Sequence, residues 1–202
     1  MKIKPVHVEN SPKRIRVRGK ARLRVVQGAK SGTNHVSDAR AYWAKRRNHQ
    51  YFKKAALVVK DRWPSFQSIL DVGGGNSRFL DRFEGQKAVA DINPKSNLYK
   101  VDEVEFYVTD GTLRQFDEDS FDVVVCLQTI EHDMPEPADM VRVAKMGVVV
   151  SYPYRWKVGT ACHQGKDRQW VERKMGCEAV AHFVVMDNGL GRGLAVFEPF
   201  KP

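Results

Sequence analysis

The sequence predicts an α/β fold: a seven-stranded mixed sheet flanked by helices and preceded by a basic N-terminal arm. Short apolar runs alternate with helix-compatible segments along most of the chain, which is typical of a doubly wound sheet. The stretch "SILDVGGGNSRFLDRF" places three consecutive glycines directly after the first of these runs. The last two runs are separated by "NGLGRG" and no helix, so we expect them to pair antiparallel.

Each element follows from a local pattern. A helix is expected from Ser37 to the residues before Pro64, because apolar residues recur there at spacings near three and four, and Ser37 or Asp38 is the expected cap. The segment "NSRFLDRF" predicts a second helix directly after the glycines, and "MPEPADMVRVAKM" predicts a third. The apolar runs predict strands over residues 68–70, 87–92, 104–110, 121–128, 147–154, 179–187 and 193–200.

The composition fits one globular domain in a reducing compartment. Of the 202 residues, 42% are hydrophobic and 29% charged, and no apolar run approaches the roughly 20 residues that cross a bilayer. The opening "MKIKPVHVENSPKRIR" contains no apolar segment, so we expect no signal peptide and a cytoplasmic location. Cys126, Cys162 and Cys177 form neither a disulfide framework nor a C-x-x-C pair, and we expect no metal site.

The positive charge is concentrated in the N-terminal part of the chain, which includes the arm. Residues 1–60 contain seventeen Lys or Arg and only two acidic residues, a net charge of +15, whereas residues 61–202 carry −5. In "KRIRVRGKARLRVV" basic and apolar residues alternate, which suits a hairpin with one cationic face or a segment that orders only on binding. We therefore divide the chain into an arm and linker, residues 1–36, and a domain, residues 37–202. Residues 13–24 are the expected contact for a nucleic acid or acidic partner.

The glycine run predicts a ligand site. In open α/β sheets ligands bind at the carboxyl ends of the strands, and glycines allow a ligand close approach to the main chain. A dinucleotide-binding G-x-G-x-x-G would need a third glycine where Arg78 stands, and no G-x-x-x-x-G-K-[ST] phosphate loop is present. Asp71, just before the glycines, suits a cationic ligand better than a pyrophosphate. The alternative is a tight turn without a ligand.

Acidic residues end the next two predicted strands. Asp91 follows the glycines by some twenty residues, where a carboxylate can accept hydrogen bonds from both ribose hydroxyls of a nucleoside. Asp110 ends the third strand and could accept a hydrogen bond from an adenine amino group. Alternatively, both carboxylates only cap the turns that follow them.

These motifs together resemble the class I S-adenosylmethionine-dependent methyltransferases, with their Rossmann-like sheet, over roughly residues 63–200. "ILDVGGGNS" is similar to that family's D/E-x-G-x-G-x-G motif, with Ser77 in place of the last glycine, and "VADINP", "VTDGTLRQF" and "DEDSFDVVVCLQTIEH" resemble three later motifs. The resemblance implies S-adenosyl-L-methionine as the cofactor. The cofactor residues that it implies are Asp71, Gly73, Gly74, Gly75, Asp91, Ile92, Asp110, Gly111 and Gln128.

The resemblance also indicates where the methyl acceptor binds. The region after the fourth strand is similar to the subgroup that methylates small metabolites, sugars and lipid-linked intermediates, although "ACHQGKDRQWVERKMG" looks like a shortened form of its next loop. His132 and His163 are the expected bases for an oxygen nucleophile. Alternatively, His132 anchors a loop and His163 is solvent-exposed. The expected acceptor residues, which could instead pack against the first helix, are Tyr152, Tyr154, Arg155 and Trp156.

We therefore expect an S-adenosylmethionine-dependent methyltransferase acting on an oxygen or nitrogen of a small metabolite or a glycan or lipid-linked intermediate. Three alternatives stay open. An RNA or protein substrate could be recruited through the basic arm, although the chain lacks the Asn-Pro-Pro-Tyr motif used on flipped bases. A non-catalytic, cofactor-binding partner subunit would keep the fold and lose the acceptor residues. An NAD-dependent reductase is the third alternative.

Overall fold

The described residues form one mixed sheet of seven strands. The structure is a computed structural model that describes residues 39–99, 103–132 and 136–199, so the predicted arm lies outside the described residues. The strand order is β3-β2-β1-β4-β5-β7-β6. The strands are β1 Ser68–Val72, β2 Gln86–Asp91, β3 Glu105–Val108, β4 Phe121–Leu127, β5 Ala144–Pro153, β6 Ala181–Asp187 and β7 Leu190–Phe197. This architecture confirms the predicted fold class.

The direction of the strands positions the site. β1 to β5 run parallel, so their carboxyl ends meet at one edge of the sheet, while β7 runs antiparallel to both β5 and β6 as predicted. The chain reverses between β1 and β4, since β2 and β3 lie on one side of β1 and the later strands on the other. A crevice at such a reversal is where open α/β sheets bind ligands.

Both faces of the sheet are covered. In β4, Val124 and Cys126 belong to one buried cluster, whereas Val123 and Val125 belong to a second. A strand buried on both faces reads as a continuous apolar run, which is why "FDVVVCL" is apolar without alternation. No helix among the described residues is long and apolar enough to cross a membrane.

The helix predicted from Ser37 is divided in two. α1 spans Ala39–Arg46 and α2 spans Gln50–Arg62, and the expected caps lie outside the described residues. The backbone N–H groups of Gln50 and Tyr51 donate to the carboxylate of Asp187 at 2.6 and 3.1 Å. A carboxylate that accepts the first N–H groups of a helix fixes its start, so Asp187 at the end of β6 sets where α2 begins.

Two other helices differ from the predictions. The segment after the glycines forms only a 3-10 helix, Phe79–Arg82, because Gly85 turns the chain at φ +87° and β2 begins at the next residue. The third predicted helix is α3, Pro137–Val143, and its last predicted residues instead begin β5 at Ala144. α4, Arg168–Met175, starts from Asp167, whose side chain accepts the N–H of Trp170 at 2.8 Å.

Candidate active site

The glycine loop is packed tightly between β1 and the segment after β4. Gly73 has φ +74°, and its N–H donates to the carbonyl of Ala90 at 2.7 Å. A Cβ on Gly73 would lie 2.3 Å from Thr129 Cγ2, and one on Gly74 would lie 2.2 Å from the carboxyl of Asp71. The loop lacks side chains because the protein's own residues occupy that space. The sequence predicted that a ligand lies close to these glycines. At the Cβ positions of Gly73 and Gly74, the neighbouring atoms belong instead to Thr129 and Asp71 of the protein.

Asp91 joins the glycine loop to the end of β2. Its Oδ2 accepts the N–H of Gly75 at 3.0 Å, and its Oδ1 accepts the N–H of Asn93 at 2.8 Å. A Cβ on Gly75 would lie 2.0 Å from Ser96 Oγ and 2.8 Å from Asp91 Oδ2. Burial raises the pKa of Asp91, against the lowering effect of these hydrogen bonds.

Asp71 lies beneath the loop. Its carboxyl is buried, and its Oδ2 accepts a long hydrogen bond of 3.4 Å from Ser77 Oγ. Burial, helped by the nearby Asp91, raises the pKa of Asp71 to about 8. The side chain is therefore mostly protonated at neutral pH, and a cation placed beside it would favour its ionised form.

The residues after β2 and β3 lie at the same edge of the sheet. Ile92 follows Asp91 and is half-buried. Gly111 has φ +95°, and its N–H donates to Thr109 Oγ1 at 3.2 Å. Asp110 is exposed and accepts both the N–H and the hydroxyl of Thr112, and these bonds lower its pKa. Asp110 thus caps its own turn, as the alternative interpretation expected, while its adenine contact stays a prediction.

The side chain of Gln128 forms hydrogen bonds with residues of β5 and β7. The residue has φ +57°, and its side-chain amide donates to Ser151 Oγ at 3.2 Å. Its Oε1 accepts a hydrogen bond from Arg192. The guanidinium of Arg192 is buried, 4.7 Å from the ring centroid of Trp156 and 5.0 Å from that of Tyr51. Arg192 was not predicted because it lies in "NGLGRG", which was interpreted as the connection between the last two strands, whereas in the structure it belongs to β7.

A second missed residue is Glu131. It lies in the 3-10 turn Ile130–His132 directly after the Gln128 segment, and only 4% of it is exposed. Burial raises its pKa to about 7, and its Oε2 has no hydrogen-bond partner among the described residues. The sequence "QTIEH" shows an acidic residue at this position. It does not show that the side chain is buried, because the next residue along the chain is an exposed histidine.

The structure brings the two predicted histidines together and adds a cysteine. The rings of His132 and His163 are 5.2 Å apart and nearly perpendicular. Cys162 Sγ lies 3.8 Å from His132 Nδ1 and 3.7 Å from His163 Nδ1. Thr160 Oγ1 is also 2.8 Å from His163 Nδ1. Burial, followed by nearby cations, lowers the pKa of His163. The sequence analysis assigned Cys162 no role, because its partner His132 is thirty residues away.

The four predicted acceptor residues are divided between two environments. Trp156 lies near His163, with ring centroids 6.1 Å apart, and near Arg192. Tyr152 is fully buried, and its hydroxyl is 2.7 Å from His182 Nε2. Tyr154 packs against the same His182 ring, and exposed Arg155 lies over Tyr154. Only Trp156 of the four therefore contacts the histidine and arginine group.

Comparisons with known proteins agree with this geometry. Residues 70–146 match the family model described as "Methyltransferase domain". No curated protein matches the chain.

Solved structures share the fold at low identity. A complex between the Haloferax volcanii Trm112 methyltransferase activator and the putative methyltransferase is 16% identical, with a TM-score of 0.59 over 81% of this chain and 94% of that chain. The [4+2]-cyclase SpnF is 13% identical, with a TM-score of 0.55 over 71% and 79%. Magnesium protoporphyrin IX methyltransferase from Synechocystis PCC 6803 with bound SAH is 14% identical, with a TM-score of 0.51 over 73% and 81%.

Proposed function

We propose a specific reaction for this chain, which by its methyltransferase domain and its fold is a class I S-adenosylmethionine-dependent methyltransferase. The reaction is transfer of the cofactor's methyl group to an oxygen or nitrogen of a small acceptor, such as a metabolite or a glycan or lipid-linked intermediate. The observation that best supports cofactor binding at this site is Asp91, which ends β2 and whose carboxylate accepts the N–H of Gly75. This contact would hold a ribose-binding carboxylate against the glycine loop.

The cofactor end of the site is formed by residues at or after the ends of four strands, β1 to β4. Asp91 would accept the ribose hydroxyls, and the segments from Ile92 and from Asp110 to Gly111 would flank the adenine. Asp71, Gly73, Gly74 and Gly75 would hold the methionine part. Gln128 would stand beside it, since Arg192 and Ser151 fix its amide. When bound, S-adenosylmethionine supplies an electrophilic methyl group on a sulfonium.

The acceptor end is formed by the segments after β4 and β5. These segments would align the acceptor atom with the cofactor's methyl group, and an acceptor hydroxyl would give its proton to a base of the protein. His132 and His163 are the bases proposed from the sequence, and Glu131 is a third, because its pKa of about 7 suits proton uptake at neutral pH. Trp156 would form an apolar wall of this pocket.

Calorimetry tests the cofactor and labelled transfer tests the acceptor. The full chain should bind S-adenosylhomocysteine and not NAD, and binding of NAD alone would indicate a reductase instead. Incubation with methyl-labelled cofactor and a fractionated extract should place the label in the metabolite fraction. Cofactor binding without label in any fraction would contradict catalysis and support a partner subunit.

The charge of the arm favours one second candidate, an RNA substrate. Residues 1–60 carry a net charge of +15, and such a cluster binds phosphates with an affinity that falls steeply with salt. In the same experiment this candidate predicts label in total RNA, with transfer that weakens as salt is raised. The metabolite proposal predicts transfer that depends only weakly on salt.

A further inference from the structure

Three side chains that bind transition metals converge next to the acceptor end. His132 lies at the end of the 3-10 turn after β4, and Cys162 and His163 lie in a second 3-10 turn, Ala161–His163, after β5. One ligand atom from each of the three lies within 4.8 Å of the other two. The Nδ1 atoms of the two histidines approach the same Cys162 Sγ.

The distances fit a tetrahedral metal centre. With metal–sulfur and metal–nitrogen bonds of about 2.3 and 2.05 Å, tetrahedral angles place sulfur and nitrogen about 3.6 Å apart. The two sulfur–nitrogen distances here are 3.8 and 3.7 Å. A shift of about 0.1 to 0.2 Å would therefore bring both sulfur–nitrogen distances to the tetrahedral value.

We propose that His132, Cys162 and His163 bind a Zn²⁺ ion. Zinc binds both Cys thiolate and His imidazole, and in catalytic sites three protein ligands leave its fourth position open. The two segments that supply the ligands lie against each other, so the site is formed by the fold itself.

Thr160 gives the alternative explanation of the cluster. Its Oγ1 lies 2.8 Å from His163 Nδ1 and 3.0 Å from Cys162 Sγ, so a hydrogen-bonded group without metal would also hold these side chains together. Thr160 does not explain why His132 Nδ1, on another segment, also approaches the sulfur. Metal binding accounts for all three ligands at once.

The open position gives the ion a role at the acceptor end. The backbone N–H of His132 donates to the carbonyl of Thr129 at 3.0 Å, and a Cβ on Gly73 would meet the side chain of Thr129. The cluster is therefore one short segment away from the glycine loop. An acceptor hydroxyl bound to Zn²⁺ would lose its proton to solvent more readily and would be held as an anion. This role rests on the proposed methyl transfer. Both histidines would then act as metal ligands and not as bases.

Metal titration tests the site without requiring turnover. Tag-free, chelator-treated full chain is titrated with Zn²⁺ against a chromophoric chelator, and with Co²⁺ followed by absorbance. We expect one high-affinity ion per chain and a thiolate-to-cobalt charge-transfer band. Cys162→Ser should abolish that band and weaken Zn²⁺ binding by at least roughly tenfold, the lower end of what loss of an outer-shell partner costs. His132→Ala and His163→Ala should weaken binding similarly.

Two control variants distinguish metal binding from a hydrogen-bonded cluster without metal. Cys177→Ser removes an exposed cysteine outside the cluster and should bind Zn²⁺ like the natural chain. Thr160→Val removes the competing hydroxyl and should retain binding. Absence of a stoichiometric site, or binding unchanged by Cys162→Ser, would overturn the proposal. S-adenosylhomocysteine binding is measured in parallel: if it occurs without Zn²⁺ binding, only the metal site fails, and Zn²⁺ binding without it would refute only the proposed methyl transfer.

Discussion

Asp71 and Asp91 are both buried beside the glycine loop, but their environments differ. Two backbone N–H groups donate to Asp91, and this partly offsets the cost of burying its charge. Asp71 has only the 3.4 Å contact from Ser77, and burial raises its pKa to about 8. Asp91 is therefore prepared to accept hydrogen bonds, whereas Asp71 would respond to the positive charge of a ligand.

The raised pKa of Asp71 predicts a pH dependence of stability. Because the folded chain holds this proton more tightly than the unfolded chain, Asp71 contributes stability that is complete below about pH 4 and is lost as the pH rises to about 8. Relative to Asp71→Asn, the unfolding free energy of the natural chain should fall by up to about 1.4 kcal/mol per pH unit in that window. Urea unfolding of both proteins across this range measures the difference, and parallel pH curves would contradict it.

At the scale of elements, the strands were predictable and the helix boundaries were not. Each strand buried on both faces leaves an apolar run in the sequence, such as "FDVVVCL" for β4. The start of α2 depends on Asp187, which is distant along the chain and has no local signal near Gln50. The contact between Cys162 and His132 could not be predicted either, because the two residues are distant along the chain. The position of the glycine loop was predictable because it follows β1 directly.

The contact between β6 and α2 predicts a stability effect. Asp187→Ala removes the acceptor of two backbone N–H groups and the carboxylate 4.0 Å from Arg192, so we expect destabilisation by about 2 to 4 kcal/mol. Asp187→Asn keeps one acceptor oxygen and should lose less. Urea unfolding compares them, with exposed Glu118→Ala as the control. Equal stability of Asp187→Ala and the control would show that Asp187 does not fix α2.

The whole molecule combines a basic N-terminal region, residues 1–60, which includes the arm, with an acidic remainder. The net charge is +15 over residues 1–60 and −5 over residues 61–202, so the two parts favour different partners. The methyltransferase domain match begins at residue 70, well beyond the arm. We infer that cofactor binding belongs to the domain and that recruitment of an anionic partner belongs to the arm.

Deletion of residues 1–30 tests this division. The shortened chain should bind S-adenosylhomocysteine with unchanged affinity and should lose affinity for RNA or other polyanions, since the deletion removes ten of the basic residues. Calorimetry and a filter-binding assay measure the two affinities. Unfolding of the shortened chain would show that the arm is part of the core.

The most direct test of the account is calorimetric titration of S-adenosylhomocysteine into the natural chain and into Asp91→Ala. The account predicts that the variant binds more weakly by about 1 to 3 kcal/mol, since ribose hydroxyls would lose their buried acceptor. Asp91→Asn, which keeps one acceptor oxygen for Gly75, separates loss of ribose contacts from collapse of the loop and should bind between the two. Equal affinity of the natural chain and Asp91→Ala would contradict the account.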